Sequence, residues 1–268
     1  MKSLAESIKC YRAYDTMIHL KNKEEIEKMR SAAQIVVDTL GKLRESVEPG
    51  ISTWDLDKMA EENAIKNGAK PAFKGYADYP GSVCFAINNE VVHGIPSKKK
   101  VLKEGDIVGL DFGVILDGFF GDSAVTVPVG EVSTLAENLL KVTEASLLKG
   151  IDEATVKNRL FDISRAIQSY VEGKGFSIVR SFVGHGIGTK LHEEPQVPNF
   201  VPENGNHAKG VKLKPGIVIA IEPMVNVGRP DIKILGDGWT AVTVDGTLSA
   251  HFEHTVAVTE NGPLILTQ

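Results

Sequence analysis

Cysteine is scarce in this chain: Cys10 and Cys84 are the only two among 268 residues. Two thiols cannot build a disulfide framework, so a reducing compartment is expected and the cytoplasm is the default location. Long apolar runs are missing as well. No stretch could span a bilayer, and Met1 to Leu20 alternates polar and apolar residues without the h-region of a signal peptide. Basic excess is absent too. A net charge of −5 gives no global drive toward nucleic acid, and no sequence-specific nucleic-acid partner is expected. What remains is an ordinary apolar and charged content, enough for a soluble globular protein with a sizeable core.

The chain repeats itself. Leu102-Lys103-Glu104-Gly105 recurs as Leu213-Lys214-Pro215-Gly216, and at that offset Asp111 maps onto Glu222. Further on, Asp122-Ser123-Ala124-Val125 echoes Glu253-His254-Thr255-Val256, Gly50-Ile51 echoes Gly150-Ile151, and His93-Gly94-Ile95 echoes His185-Gly186-Ile187. Helical periodicity precedes each acidic hairpin. In the first half, Asn22 and Glu25 form a capping box before Ile26, Met29, Ala33, Val36, Val37, Leu40 and Leu43. Thr53 caps a second helix. In the second half, Thr134 and Glu137 box one helix, and Val156, Leu160, Ile163, Ile167 and Val171 mark another. Short strands fit Val83–Ile87, Glu90–His93 and Ser177–Val183, and Pro202–Gly210 has the polar composition of a surface loop. Each half is too long for a solenoid repeat. The expectation is a single pseudo-symmetric α+β domain over residues 21–268, with halves of about 21–130 and 131–268, after an N-terminal extension of residues 1–20.

The hairpin from Asp106 to Val127 turns at Asp117-Gly118. An even loop sets Leu116 opposite Phe119 and Asp111 opposite Ala124, with Asp122 a diagonal neighbour on the same face. Asp is disfavoured in mid-strand, which weakens the reading of Asp111 as a turn or cap residue. Glu222 and Glu253 each sit alone in apolar sequence. No Lys or Arg of either local segment shares their face, which weakens the usual alternative of a structural salt bridge. Acidic groups brought together inside a protein repel unless a cation neutralises them. His185, between two glycines, adds a nitrogen donor. The set Asp111, Asp122, His185, Glu222 and Glu253 is oxygen-rich and lacks thiolate. It suits Mn, Co, Fe or Zn, and four carboxylates suit two divalent ions roughly 3.5–4 Å apart better than one.

Three other motifs are weaker. Gly184-His185-Gly186-Ile187-Gly188 has dinucleotide-loop glycines, but Thr189–Pro195 does not continue as a clean helix. Gly121-Asp122-Ser123 lacks the following turn of a serine nucleophile. Lys98-Lys99-Lys100 fits a solvated loop, with a contact to ribosomal RNA as the sharper alternative.

Taken together, the chain resembles the type I methionine aminopeptidases, of the pita-bread fold. The resemblance runs from about Glu24 to the end. It rests on Asn89–Pro96, Asp111 through Gly121-Asp122, Gly184–Gly188, His192-Glu193-Glu194-Pro195-Gln196, Ile221–Met224 and Phe252–Thr255. It implies that the ligand set above is a dinuclear site whose ions lower the pKa of a bridging water to about 7. The implied reaction removes the initiator methionine from nascent chains with a small second residue. Glu222 is then also the general base, His192 the donor to the scissile carbonyl, and His93 the contact to the scissile amide nitrogen. Tyr76, Tyr79, Cys84 and Trp239 become the methionine pocket, with soft and aromatic walls that a thioether prefers. A monovalent cation near Asn88 and Ser249, contact with the ribosome and a monomeric state are implied in the same way. The chain departs from the family pattern at Phe73, Leu191, Gly113 and His251. His251 is expected to share a strand face with Glu253 as a supporting donor. The rivals are an Xaa-Pro aminopeptidase or prolidase of the same fold, which usually carries an extra N-terminal domain that some twenty residues cannot supply, and a non-catalytic pita-bread binding module.

Overall fold

The computed structural model describes residues 17–202 and 210–268. Most of the 1–20 extension, Cys10 with it, and most of the Pro202–Gly210 loop lie outside the described residues. Among the described residues four long helices occur: α1 (Lys23–Ser46), α2 (Thr53–Lys66), α3 (Thr134–Asp152) and α4 (Leu160–Gly173). The strands are β1 (Lys70–Pro71), β2 (Val83–Ile87), β3 (Glu90–Val92), β4 (Ile107–Leu116), β5 (Phe119–Pro128), β6 (Ser177–Ile178), β7 (Gly184–Gly186) and β8 (Glu193–Val197), then β9 (Val218–Ile221), β10 (Met224–Asn226), β11 (Ile232–Ile234), β12 (Ala241–Thr243), β13 (Ser249–His251), β14 (Glu253–Thr259) and β15 (Gly262–Ile265). Among the described residues no helix is long and apolar enough to cross a membrane.

Local chemistry explains most boundaries. Asn22 Oδ1 accepts from the Glu25 amide at 3.0 Å, and the Asn22 amide donates to the Glu25 carboxylate at 2.8 Å, closing the expected box. α1 buries Met29, Ala32, Ala33, Val36, Leu40 and Leu43, with Val37 only half-buried. The caps of α2 and α3 sit one residue earlier than expected, at Ser52 and Ser133. Each of those serines precedes a threonine, so two adjacent hydroxyls compete, and the residue with extended backbone wins. α4 begins at Leu160, leaving Val156 outside it. The strand expected over Ser177–Val183 is confined to Ser177–Ile178. The exposed Arg180 and Ser181 carry the chain out of the sheet.

One large sheet runs β1–β4–β5–β14–β9–β7–β8, with β2 also on β4 and β15 also on β14. It is the duplication made visible: β2, β4 and β5 on one side match β7, β9 and β14 on the other. β4 and β5 pair as the even loop requires, Leu116 opposite Phe119 and Asp111 opposite Ala124. Asp117 and Gly118 have φ of 48° and 82°, both positive as a two-residue type I′ turn demands. The halves meet at β5–β14, where the paired strands register only Glu253 with Ala124 and His254 with Ser123. Three side-chain hydroxyls strengthen this short seam. Ser123 donates to the Glu253 carbonyl (2.6 Å), Thr255 to the Asp122 carbonyl (2.7 Å) and Thr126 to the His251 carbonyl (2.7 Å).

Helix α1 lies against β5 at Gly121. A Cβ there would sit 2.7 Å from the Ala33 amide nitrogen, a backbone atom that cannot step aside. Gly121→Ala should therefore push α1 off the sheet and cost about 1–3 kcal/mol. Urea unfolding of the variant checks this; a change within experimental error would show that the helix has room to shift.

Candidate metal centre and substrate pocket

The sheet brings three of the expected ligands, Asp122, His185 and Glu253, into one cluster, with Glu222 beside His185 and Asp111 electrostatically coupled to Asp122. Asp111 comes from β4, Asp122 from β5, Glu253 from β14, His185 from β7, and Glu222 from the residue just after β9. Ligand atoms of Asp122, His185 and Glu253 lie within 4.8 Å of one another, and all three residues are buried. His185 Nε2 is 3.6 Å from one oxygen of Glu222, and His251 Nε2 is 3.6 Å from the other. The glycines beside His185 are obligatory. A Cβ on Gly184 would run into the Ala220 carbonyl, and one on Gly186 into the Glu194 carbonyl. The dinucleotide reading of these glycines therefore gives way to strand packing. Ser123 likewise spends its hydroxyl on the seam.

The electrostatics are unfavourable as the residues stand. Burial first, then repulsion from the neighbouring acids, pushes the carboxyls of Asp111, Asp122 and Glu253 well above the usual range. Asp122 Oδ1 and Glu253 Oε1 are buried without a hydrogen-bond partner. No lysine or arginine ion-pairs with the set among the described residues. Orphaned, converging, oxygen-rich donors with one imidazole fit divalent cations.

His251 departs from expectation in one respect. The chain leaves β13 after His251, and β14 begins at Glu253, so the two residues do not share one strand. Glu222, not Glu253, is the carboxylate whose distance to His251 is short. Asn199 was not signalled by any motif. It is fully buried and donates from Nδ2 to the Glu222 carbonyl at 3.0 Å, fixing the backbone of that residue.

The two remaining histidines of the expected site, His93 and His192, flank the acids. His192 Nδ1 is 2.7 Å from the Tyr76 hydroxyl, and its ring centroid lies 4.3 Å from that of His185. His93 adopts a left-handed φ of 62° and stands edge-on to Phe182, centroid to centroid 5.2 Å. A non-glycine residue held there is strained by surrounding structure. The Gly94–Phe85 backbone pair supplies that constraint through two bonds of 2.9 Å. Burial lowers the basicity of both imidazoles: His93 falls to about 4, and His192 falls well below the ordinary value, helped by the adjacent His185.

Beside Asp111 lies an apolar cluster. Phe73, Tyr79, Cys84 and Leu191 are its buried members, with Tyr76, Trp239, Ile95 and Phe120 packed around them. All four pocket residues expected from the resemblance are therefore together. Cys84 is the register partner of Asp111, and burial keeps its thiol protonated. Tyr79 stacks edge-on to Trp239 at 5.1 Å and its hydroxyl lies 2.8 Å from the Gly94 carbonyl. Two departures prove to be linked: a Cβ on Gly113 would sit 3.0 Å from the Phe73 ring and 3.1 Å from Asp122 Oδ1, so the ring takes the space of a larger residue. The Lys98–Lys100 loop is only partly a solvated face, since Lys100 pairs with Glu90 at 2.6 Å and Lys98 lies over the Trp54 ring.

Raised carboxyl pKa values carry a sign. The unfolded chain loses these protons near pH 4, while the fold still holds them. The metal-free protein is therefore destabilised by these groups as pH rises above that range. A cation must displace the protons, so its affinity should rise with pH and binding should release protons. Calorimetric titration of chelated protein with Mn²⁺ or Co²⁺, in buffers of different ionisation enthalpy, measures this directly. Binding without proton release would contradict the electrostatic picture.

Residues 27–260 match the model of metallopeptidase family M24. A methionine aminopeptidase of Clostridium perfringens is 55% identical over 251 residues, covering 94% of this chain and 99% of that protein. The crystal structure of a methionine aminopeptidase from Thermotoga maritima superposes with a TM-score of 0.91 at 46% identity, covering 94% of this chain and 100% of that one. A prolidase from Pyrococcus furiosus shares the fold at a TM-score of 0.73 and 23% identity, but this chain spans 68% of it. The fold is thus the pita-bread fold, and the chain belongs to metallopeptidase family M24 and, within it, to the type I methionine aminopeptidases.

Proposed function

We propose that this chain removes the N-terminal methionine from nascent proteins and peptides. The observation that carries the reading is the juxtaposition of the converging acids with a soft, largely buried aromatic cluster across one strand register, Asp111 opposite Cys84. An α-amino group bound beside Asp111 would set the first side chain against Phe73, Tyr76, Tyr79, Cys84, Leu191 and Trp239.

Asp111, Asp122, His185, Glu222 and Glu253 would hold two divalent ions, drawn from Co, Mn, Fe or Zn. When bound, these supply Lewis acidity and bring the pKa of water toward neutrality. Glu222 accepts the proton of the attacking water and delivers it to the departing amine. Asn199 holds the backbone of Glu222 in place, and His251 Nε2 faces its carboxylate at 3.6 Å. His192 is kept neutral by burial. With Nδ1 accepting from Tyr76, its proton resides on Nε2, the nitrogen assigned to the carbonyl oxygen as negative charge develops there. His93, also neutral, donates to the scissile amide. A monovalent cation near Asn88 and Ser249 belongs to the same reading. So do a cytoplasmic location, a monomeric state, and contact with the ribosome through the exposed Lys98 and Lys99.

Purified protein incubated with Met-Ala-Ser should release methionine in a chelator-sensitive reaction that added metal restores. His192→Ala should lower kcat about 10²–10³-fold, and Glu222→Gln should lower it about 10²–10⁴-fold. Efficient cleavage of an Xaa-Pro peptide would move the chain to the proline-directed branch of the fold. No cleavage of any peptide with metal present would leave the binding module.

A further inference from the structure

The N-terminal segment reaches the candidate site through one buried ion pair. Lys21 Nζ meets a carboxylate oxygen of Glu193, and the two side chains are only 6% and 5% exposed. The other oxygen of Glu193 accepts from the Thr189 amide at 2.9 Å and the Lys190 amide at 3.1 Å. Lys21 is itself anchored. Its amide donates to the Gly216 carbonyl at 2.7 Å and its ammonium to the His19 carbonyl at 3.1 Å. Two glycines make room: a Cβ on Gly188 would strike the Lys21 side chain and the Glu193 carboxylate, and one on Gly216 would sit 2.6 Å from the Lys21 carbonyl oxygen.

The Thr189–Lys190 turn of the connection between β7 and β8 is therefore gathered onto one carboxylate, while backbone bonds tie Ile187 to Val218 and Gly188 to Phe120. That connection carries Leu191, a wall of the apolar pocket, and His192. We propose that Lys21 and Glu193 are positioning residues, a latch by which the segment before α1 sets the place of His192 and Leu191. The proposal rests on the reading of His192 as donor to the substrate carbonyl. A charged acceptor suits the task, because charge-assisted bonds to amides are short and strong. Removing the ammonium leaves a buried carboxylate that draws water and frees the loop. A small misplacement of a catalytic donor is enough to cost about 10²-fold in rate.

The test uses Lys21→Met and Glu193→Gln in the metal-loaded, full-length protein. Hydrogen exchange should show the Thr189 and Lys190 amides opening about tenfold faster or more, with the β4–β5 amides unchanged. On Met-Ala-Ser, kcat should fall about 10- to 100-fold, with a smaller change in KM. In a His192→Ala background, Lys21→Met should add less than about twofold, because the donor it places is gone. Unchanged loop exchange, or an equal loss of kcat in both backgrounds, would overturn the latch. If Lys21→Met does not fold, Glu193→Gln, nearly the same in volume, carries the same test. If His192→Ala alone leaves kcat intact, the donor role of His192 fails, and the exchange rates alone then decide whether the latch holds the loop.

Discussion

Repulsion among acids in a dry place governs this molecule. Asp122 and Glu253 are buried on adjacent strands, Asp111 and Glu222 flank them, and the described residues offer no lysine or arginine to balance them. A fold with that arrangement is poised for cation binding, since each carboxylate gains by meeting positive charge what it loses in hydration. The cost is borne where the halves join. Between β5 and β14 the paired strands register just two residue pairs, one containing Glu253 itself and the other next to Asp122 and Glu253. Ser123, Thr126 and Thr255 reinforce the join by bonding carbonyls across it, two of them the carbonyls of Glu253 and Asp122. Hydroxyls are suited to this position. They add cross-strand bonds without adding charge next to groups that already repel.

Close backbone approach is the second requirement, and glycine meets it where a charged site needs short distances. Gly184 and Gly186 let β7 press against β8 and β9, which brings His185 within reach of acids from three other strands. Gly121 does the same between α1 and β5. Gly113 yields its space to Phe73, so the same strand that carries Asp111 gives up side-chain volume to shape the neighbouring pocket.

The sequence was informative where chemistry repeats or where an element leaves little choice. The doubled hairpin exposed all four acids, the two-residue turn at Asp117-Gly118 dictated the β4–β5 register, and the glycines around His185 marked close packing. It was uninformative where the answer depends on which distant segments meet. Ser52 or Thr53, and Ser133 or Thr134, are equivalent caps by composition, and only the backbone conformation separates them. His251 reads as a neighbour of Glu253 by spacing, yet a break at Phe252 and a distance of 3.6 Å assign it to Glu222. The contacts of Asn199, Phe182 and the Lys21–Glu193 pair are not set by periodicity. Their partners are contributed by chain far away, and nothing local announces them.

The histidines complete the logic of the acids. An imidazole near several carboxylates would ordinarily gain a proton, and a cationic histidine would compete with a metal for the same charge. Here burial opposes that tendency: His93 is held to about 4 and His192 well below its ordinary value. Both therefore stay neutral at physiological pH and add no fixed positive charge beside the acids. Neutrality alone does not aim a donor. His93 is aimed by a left-handed backbone locked through the Gly94–Phe85 pair. His192 is aimed by the Tyr76 hydroxyl and by a loop gathered onto Glu193. The molecule thus separates two tasks: the acids concentrate charge, while uncharged groups on constrained backbone direct it.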